Sequence, residues 1–418
     1  MTRLPAYDRP EEGGFDSGRL QRLRDHMAGM VEQGRIAGGS TLLMRRGRIV
    51  RFDTFGGRRL GDPEPLPRDA LFRIYSMTKP VTSVAAMILF EEGRWTLDDP
   101  ITRYLPEFSD LKVCVDFNAG GDMRLEDTAR PPTMRELMSH TAGLGYGLFD
   151  HHPVERAYKA DGVLTASSLD ELARRAAAIP LMFRPGEEWF YSVATDLLGL
   201  VVERISGQRF GDFLHERIFE PLGMRDTGFQ VRAEDLPRAC VLYADDGAGG
   251  LRPATDTFGV PVHDLSRPPP IEGGGGGLIS TAVDYARFCQ MILDGGALDG
   301  VRILAPATVR LMASNMIPEP VLARSHPLRL LPFNPAFGFG LGFSVMHDPA
   351  RMGSLEGRGT LAWGGGGGTW FWIDPEHDIV FVGMIQRVAD PVSDEFRRKA
   401  RVFTYQALTD AGPFEELS

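Results

Sequence analysis

Lysine is nearly absent from this chain. Of 46 cationic residues only Lys79, Lys112, Lys159 and Lys399 are lysine, and the rest are arginine. Wherever a fixed positive charge suffices, the sequence uses arginine, so each lysine is a candidate for work that needs a proton to come off. Cysteine is also scarce. Cys114, Cys240 and Cys289 are odd in number, widely spaced and without a C-x-x-C pair, which argues against a disulfide framework. No run approaches eighteen apolar residues, so no transmembrane helix is expected. The first twenty residues lack the apolar segment of a secretory leader, and a cytoplasmic location is the expectation. Excess basic charge is missing too. A net charge of −10 and a pI near 5.5 argue against nucleic-acid and anionic-membrane partners. There is no G-x-S-x-G elbow, no phosphate-binding G-x-x-x-x-G-K-[ST] and no H-E-x-x-H. The adjacent His151 and His152 have no carboxylate at ligand spacing, so neither a metal nor an organic cofactor is expected.

What is present is a chain of 418 residues with 43% apolar composition, long enough for two or three lobes around a large core. Residues 16–34 read as an amphipathic helix with an acidic cap, and "GGSTLLMRRGRIVRFDTFGG" as strand, turn and strand. Residues 76–95 are apolar on nearly every side and predict a buried helix. Residues 133–144, 192–224 and 280–296 predict further helices. Beyond residue 335, "FGFGLGFSVM", "LAWGGGGGTWFWIDP" and "DIVFVGMIQR" read as strands, with a closing helix over 392–411. Stretches 145–175 and 245–275 look like long surface loops, and the first could form a lid. Strands at both ends and helices between predict one largely antiparallel sheet, flanked by helices, with a helical lobe inserted. The expected division places residues 1–75 with 276–418 in a sheet domain and 76–275 in a mostly helical one, the site lying between them.

Two S-x-x-K matches occur. Ser109–Lys112 lies in a polar stretch, whereas Ser76–Lys79 opens the most apolar helix. At a helix N-terminus Ser76 has free backbone N–H groups beside it. Lys79, one turn on, faces the same side and is placed to act as a base on the Ser76 hydroxyl. Tyr191, in "EEWFYSVATD" just before another helix, can relay a proton. The run "WGGGGG" at 363–368, framed by Trp363 and by Trp370, Phe371 and Trp372, reads as a sheet edge stripped of side chains so that another group can approach its backbone. The other run, in "EGGGGGLIS" (272–280), reads as loop backbone near the cleft without a catalytic role.

These pieces in this order resemble the serine β-lactamase and penicillin-binding-protein superfamily, and within it the class C β-lactamase-like branch. The resemblance runs through "LFRIYSMTKPVTSVAAMILFEEGRWTLDDPITRYLPEF", "TMRELMSHTAGL", "YSVATDLLGLVVERISGQRFGDFLHERIFEPLGM" and "STAVDYARF". It implies an α/β (α+β) β-lactamase-like fold. It also implies Ser76 as nucleophile, Lys79 with Tyr191 as general base, and an oxyanion hole from the amides of Ser76 and Gly366. The departures bear on function. Trp363-Gly364-Gly365 stands where lactamases have K-T-G, and an indole cannot attract a substrate carboxylate. Val193 replaces the asparagine that follows the tyrosine motif in class C lactamases. W-G-G looks like the family VIII carboxylesterases, which implies hydrolysis of carboxylic esters with short neutral acyl chains. Trp363, Gly364, Gly365, Phe190, Val193 and Phe371 are then the expected substrate contacts, and a small-molecule ester the expected partner. The alternatives are a weak β-lactamase, a D-aminopeptidase or an acyltransferase on the same site, and a non-catalytic binding module. Oligomeric state is not legible in the sequence.

Overall fold

The computed structural model describes residues 4–118, 120–323, 334–388 and 391–410. Seven strands form one wholly antiparallel sheet: β1 (Gly38–Arg45), β2 (Arg48–Gly56), β3 (Phe337–Phe339), β4 (Ser344–Met346), β5 (Leu361–Gly364), β6 (Trp370–Asp374) and β7 (Ile379–Ile385). Their spatial order is β3-β4-β5-β6-β7-β1-β2. The N-terminal hairpin therefore docks on the last strand, with Gly39 opposite Ile385 and Arg45 opposite Ile379. Both ends of the chain build the sheet, as the strand distribution predicts. The β1–β2 turn falls on Arg46 and Gly47, both with positive φ, which "RRGR" supplies.

Side chains alternate across the pleat, and the alternation sorts them into two cores. On β6, Trp370 and Trp372 face a cluster with Leu20, Leu23 and Met27 of helix α1 (Ser17–Glu32). Phe371 and Ile373 face the larger core on the other side. Trp372 stacks on its cross-strand partner Phe381 with centroids 4.0 Å apart. Asp16 caps α1, its side chain accepting from the Arg19 amide.

Helix α2 (Thr78–Glu91) is buried from Thr78 to Leu89. It is apolar all round because it runs through the larger core. Each of its fully buried Val, Met and Ile side chains contributes about 1.5–3 kcal/mol. Pro80 lies in the first turn, where its missing N–H leaves no helical bond unmade. Helix α3 (Met134–Met138) carries a reciprocal capping box between Thr133 and Glu136. Two helices follow where the sequence suggested a bare loop: α4 (Pro153–Ala160) and α5 (Leu169–Ala177). The expectation of an unstructured 145–175 is thus corrected. Their apolar residues, Val154, Tyr158, Leu172 and Ala176 among them, are buried. The signal was spread over helices too short to show a long period. Helix α6 (Ala194–Ser206) precedes a second helical stretch. There Phe210–Leu214 continues through a π-helical His215–Phe219 to Glu220–Leu222. Helix α7 (Ala282–Leu293), capped by Thr281, packs on the sheet face opposite α1, and α8 (Pro391–Tyr405) lies beside α1. Residue 411, the last expected in the closing helix, lies outside the described residues.

Candidate active site

Ser76 sits in a short 3-10 turn, Tyr75–Met77, that leads into α2. The turn is held from several sides. Arg73 and Phe72 pair with Ile279 and Ser280, and the Ile74 amide donates to the Leu278 carbonyl at 3.0 Å. The Tyr285 hydroxyl donates to the Met77 carbonyl at 2.8 Å. Tyr75 adopts φ +44°, a left-handed conformation that few non-glycine residues take. Its hydroxyl meets Thr257 Oγ1 at 2.9 Å. Such local backbone strain is held in place by surrounding contacts and gathers at functional sites.

Lys79 is fully buried. Its Nζ lies 3.4 Å from Ser76 Oγ, 3.2 Å from the Tyr146 hydroxyl and 2.6 Å from the Gly275 carbonyl oxygen. The helical i, i+3 spacing thus brings nucleophile candidate and base candidate together, as the sequence predicts. Tyr191 approaches differently. Lys79 Nζ stands 4.5 Å from the centroid of its ring, over the π face, and the buried Tyr191 hydroxyl has no hydrogen-bond partner among the described residues.

Tyr146 is the residue that sequence reasoning missed. Burial, reinforced by the nearby Asp196, Tyr191 and Glu155, holds its phenol well above the usual range, so it stays protonated. Gly275 was missed as well. The second glycine run was expected to be loop backbone without a catalytic role, yet its carbonyl receives Lys79. Its amide donates to Asp196 Oδ1 at 2.8 Å, and the Gly274 carbonyl accepts from Thr82 Oγ1 at 2.7 Å. A Cβ on Gly274 would strike the Thr195 carbonyl, and one on Gly275 would strike the Asp196 carboxylate. The run is glycine because it threads between α2 and α6. Asp196 is fully buried, and burial raises its carboxyl while Lys79 opposes the shift.

The first glycine run closes the other side. Residues 365–368 are the turn of the β5–β6 hairpin, not a continuous strand, and β5 lies third in the sheet, between β4 and β6. The sheet-edge reading is corrected to a local one. The β4 ladder ends at Ala362, so Trp363 and Gly364 pair only with β6. A Cβ on Gly365 would overlap the Ile74 carbonyl oxygen, and one on Gly367 would come within 2.7 Å of the Tyr75 ring. Backbone thus lies against backbone beside Ser76. The Gly366 amide donates to nothing among the described residues.

The expected substrate contacts divide. Trp363 is half-buried, with its ring 5.6 Å from Tyr191 and 5.1 Å from Phe339. Gly364 turns away from Ser76: a Cβ there would meet the Arg397 guanidinium at 2.8 Å, and Gly365 faces Ile74. Phe190 is buried against Phe149, its amide donating to the His140 carbonyl at 3.0 Å. Val193 is fully buried at the cap of α6. Phe371 does not come to the site surface. It is fully buried between Tyr285 and Phe343 and lies beside Trp363, its cross-strand partner, on the same face of the sheet. Behind Tyr191, the buried His140 meets Ser192 Oγ through Nδ1 at 3.0 Å, and burial and Lys79 hold its imidazole well below the usual range. Among the described residues no cluster of His, Cys, Asp or Glu could hold a metal, and no helix is long and apolar enough to cross a membrane.

The Beta-lactamase family model matches residues 23–406. Protein Rv1367c of Mycobacterium tuberculosis is 39% identical over 365 residues, covering 86% of this chain and 88% of that protein. Esterase EstB of Burkholderia gladioli is 34% identical over 361 residues, covering 82% of this chain and 84% of EstB. Among solved structures, EstCE1, described as a hydrolase with promiscuous acyltransferase activity, superimposes with a TM-score of 0.78 at 28% identity, covering 93% of this chain and 99% of EstCE1. With the match spanning almost the whole sequence and the fold bringing Ser76 and Lys79 into one turn, this chain belongs to the β-lactamase family, as an enzyme of the serine β-lactamase and penicillin-binding-protein superfamily.

Proposed function

We propose that this protein is a carboxylesterase of the family VIII type, hydrolysing small esters through an acyl-Ser76 intermediate. The observation that carries the reading is the fully buried Lys79 amine, 3.4 Å from the Ser76 hydroxyl. The likeness to EstB, named an esterase, supports the ester as substrate. So does Trp363, which offers an apolar ring where a penicillin-type site offers a cation.

In the first half-reaction, Lys79 acts as the base and takes the Ser76 proton as Oγ attacks the ester carbonyl. The carbonyl oxygen gains the charge and is met by the amides of Ser76 and Gly366, the latter having no other acceptor. The C–O bond to the alcohol then breaks. The Lys79 ammonium, 3.4 Å from Ser76 Oγ, gives its proton to the leaving alkoxide, and the unpartnered Tyr191 hydroxyl donates a hydrogen bond to the same oxygen. In the second half-reaction water gives a proton to the same base, attacks the acyl carbon and releases the acid, returning Ser76 to its hydroxyl form. Tyr146 and the Gly275 carbonyl fix the Lys79 amine for both halves. Trp363, backed by the buried Phe339, walls the acyl side, consistent with short neutral chains. The likeness to EstCE1 supports a second outcome from the same intermediate, attack by an alcohol in place of water.

A panel of p-nitrophenyl acetate, p-nitrophenyl octanoate, nitrocefin and a D-Ala amide on wild type and Ser76→Ala tests this. Turnover of the acetate with fluorophosphonate labelling of the wild type, and loss of both in Ser76→Ala, is expected. Labelling retained in Ser76→Ala would sink the assignment.

A further inference from the structure

We propose that Glu155 is a positioning residue for this reaction, holding Tyr146 against Lys79. The proposal rests on the Ser76–Lys79 reading above. Glu155 lies on α4 and is fully buried. Its two carboxylate oxygens accept four successive backbone N–H groups. Oε1 takes Tyr146 and Gly147, the latter at 3.0 Å, and Oε2 takes Leu148 and Phe149, each at 3.1 Å. Among the described residues no cation pairs with this carboxylate, so its charge is met by amides. Four converging donors call for about four acceptor sites, which a carboxylate has and an amide side chain does not.

The flanking glycines fit the clasp. Gly147 has φ +84°, which lets the chain curl around the carboxylate, and a Cβ on Gly145 would sit 2.7 Å from Glu155 Oε1. The Gly145 carbonyl in turn accepts the Val193 amide at 3.1 Å, two residues from Tyr191. A buried negative charge therefore fixes the loop that presents the Tyr146 hydroxyl, 3.2 Å from Lys79 Nζ. The start of the 145–175 stretch is locked down at its base, the opposite of a lid. The pattern G-x-G-Y-G at 143–147 with a buried Glu eight residues beyond Gly147 is its sequence trace.

The test is a double-mutant cycle on p-nitrophenyl acetate with Glu155→Gln, Tyr146→Phe and the double variant, with melting curves as a folding control. Glu155→Gln keeps the shape, removes half the acceptor capacity and turns two donors toward amides. We expect kcat to fall roughly 10²-fold, the scale of an ångström-level misplacement, with KM within about threefold. The double variant is expected to lie within about threefold of Tyr146→Phe. Effects that multiply, an unchanged kcat in Glu155→Gln, or an unchanged kcat in Tyr146→Phe would each overturn the proposal. If Glu155→Gln does not fold, Glu155→Asp, which keeps the charge but retracts it from the amides, takes its place in the same cycle. Ester turnover that survives Ser76→Ala overturns the underlying function; Ser76-dependent turnover with multiplying effects overturns the Glu155 role alone.

Discussion

Lys79 donates to the Tyr146 hydroxyl at 3.2 Å and meets Tyr191 only through the face of its ring. On the proposed mechanism the two tyrosines divide the work, with Tyr146 orienting the amine and Tyr191 offering its unpartnered hydroxyl to the substrate. Tyr191→Phe should then cost more with a poor leaving group than with a good one. For an alkyl ester the loss in kcat is expected at about 10²–10⁴-fold, and for p-nitrophenyl acetate, whose phenolate leaves unaided, it should be much smaller. Tyr146→Phe should depress both substrates by a similar factor. Steady-state kinetics on a matched pair of acetate esters decides it, and equal leaving-group sensitivity in the two variants would refute the division.

Gly365 and Gly366 are adjacent and compositionally identical, yet their substitutions should differ. A Cβ on Gly365 overlaps the Ile74 carbonyl oxygen and Thr369 Oγ1, both fixed beside the Ser76 turn. Gly365→Ala is expected to cost about 1–3 kcal/mol of stability, as overpacking does, and to slow fluorophosphonate labelling of Ser76. A Cβ on Gly366 meets only the outer edge of Phe258, an exposed side chain that can swing aside. Gly366→Ala should leave the denaturation midpoint nearly unchanged. Urea unfolding with a labelling time course separates the two.

The legible parts of this protein were those written locally. Ser76 and Lys79 share a face through helical spacing alone, and the lysine scarcity marks Lys79 as unusual. Tyr146 and Gly275 reach Lys79 from 67 and 196 residues away, and no local period reports such a meeting. Their trace is steric. Glycines crowd each place where backbone passes close to the site, at 143–147, at 273–277 and at 364–368. Flanking aromatics distinguish the two long runs in the sequence, yet both pass close to the Ser76–Lys79 pair. Close approach is the common cause. Phe371 was misplaced for a related reason. The stretch from Trp363 to Trp372 is a hairpin rather than one strand, so Phe371 pairs across from Trp363 on the same face, where it is covered by Tyr285 and Phe343 while Trp363 stays half-buried.

Trp363 should set acyl preference. Its indole packs against Tyr191 and Phe339, so Trp363→Ala opens space on the acyl side. Short acyl groups lose an apolar contact there, and long ones gain room. In an apolar pocket a methylene of fit is worth about 1–3 kcal/mol. The octanoate-to-acetate ratio of kcat/KM is expected to rise at least about tenfold in Trp363→Ala. A ratio unchanged from wild type would place the acyl chain elsewhere.

Asp284 should make stability fall with rising pH. Its carboxyl is mostly buried near the start of α7, and burial pushes it up to about 6. Its Oδ2 accepts from the Asp226 amide at 2.8 Å and from Thr227 Oγ1 at 2.9 Å. In the unfolded chain an aspartate releases its proton near pH 4. Below that pH both states hold the proton and the group costs nothing. Between about 4 and 6 only the folded state still holds it, so folding loses ground as pH rises, and the full penalty stands above 6. A shift of about two units corresponds to roughly 3 kcal/mol as an upper figure. Asp284→Asn keeps an acceptor for the same two donors and does not titrate. Its unfolding free energy relative to wild type should therefore climb from pH 4 to pH 7 and level off there. Denaturant unfolding of both proteins across that range measures the slope, and a difference that is flat with pH would show that Asp284 is ionised in the fold like any surface aspartate.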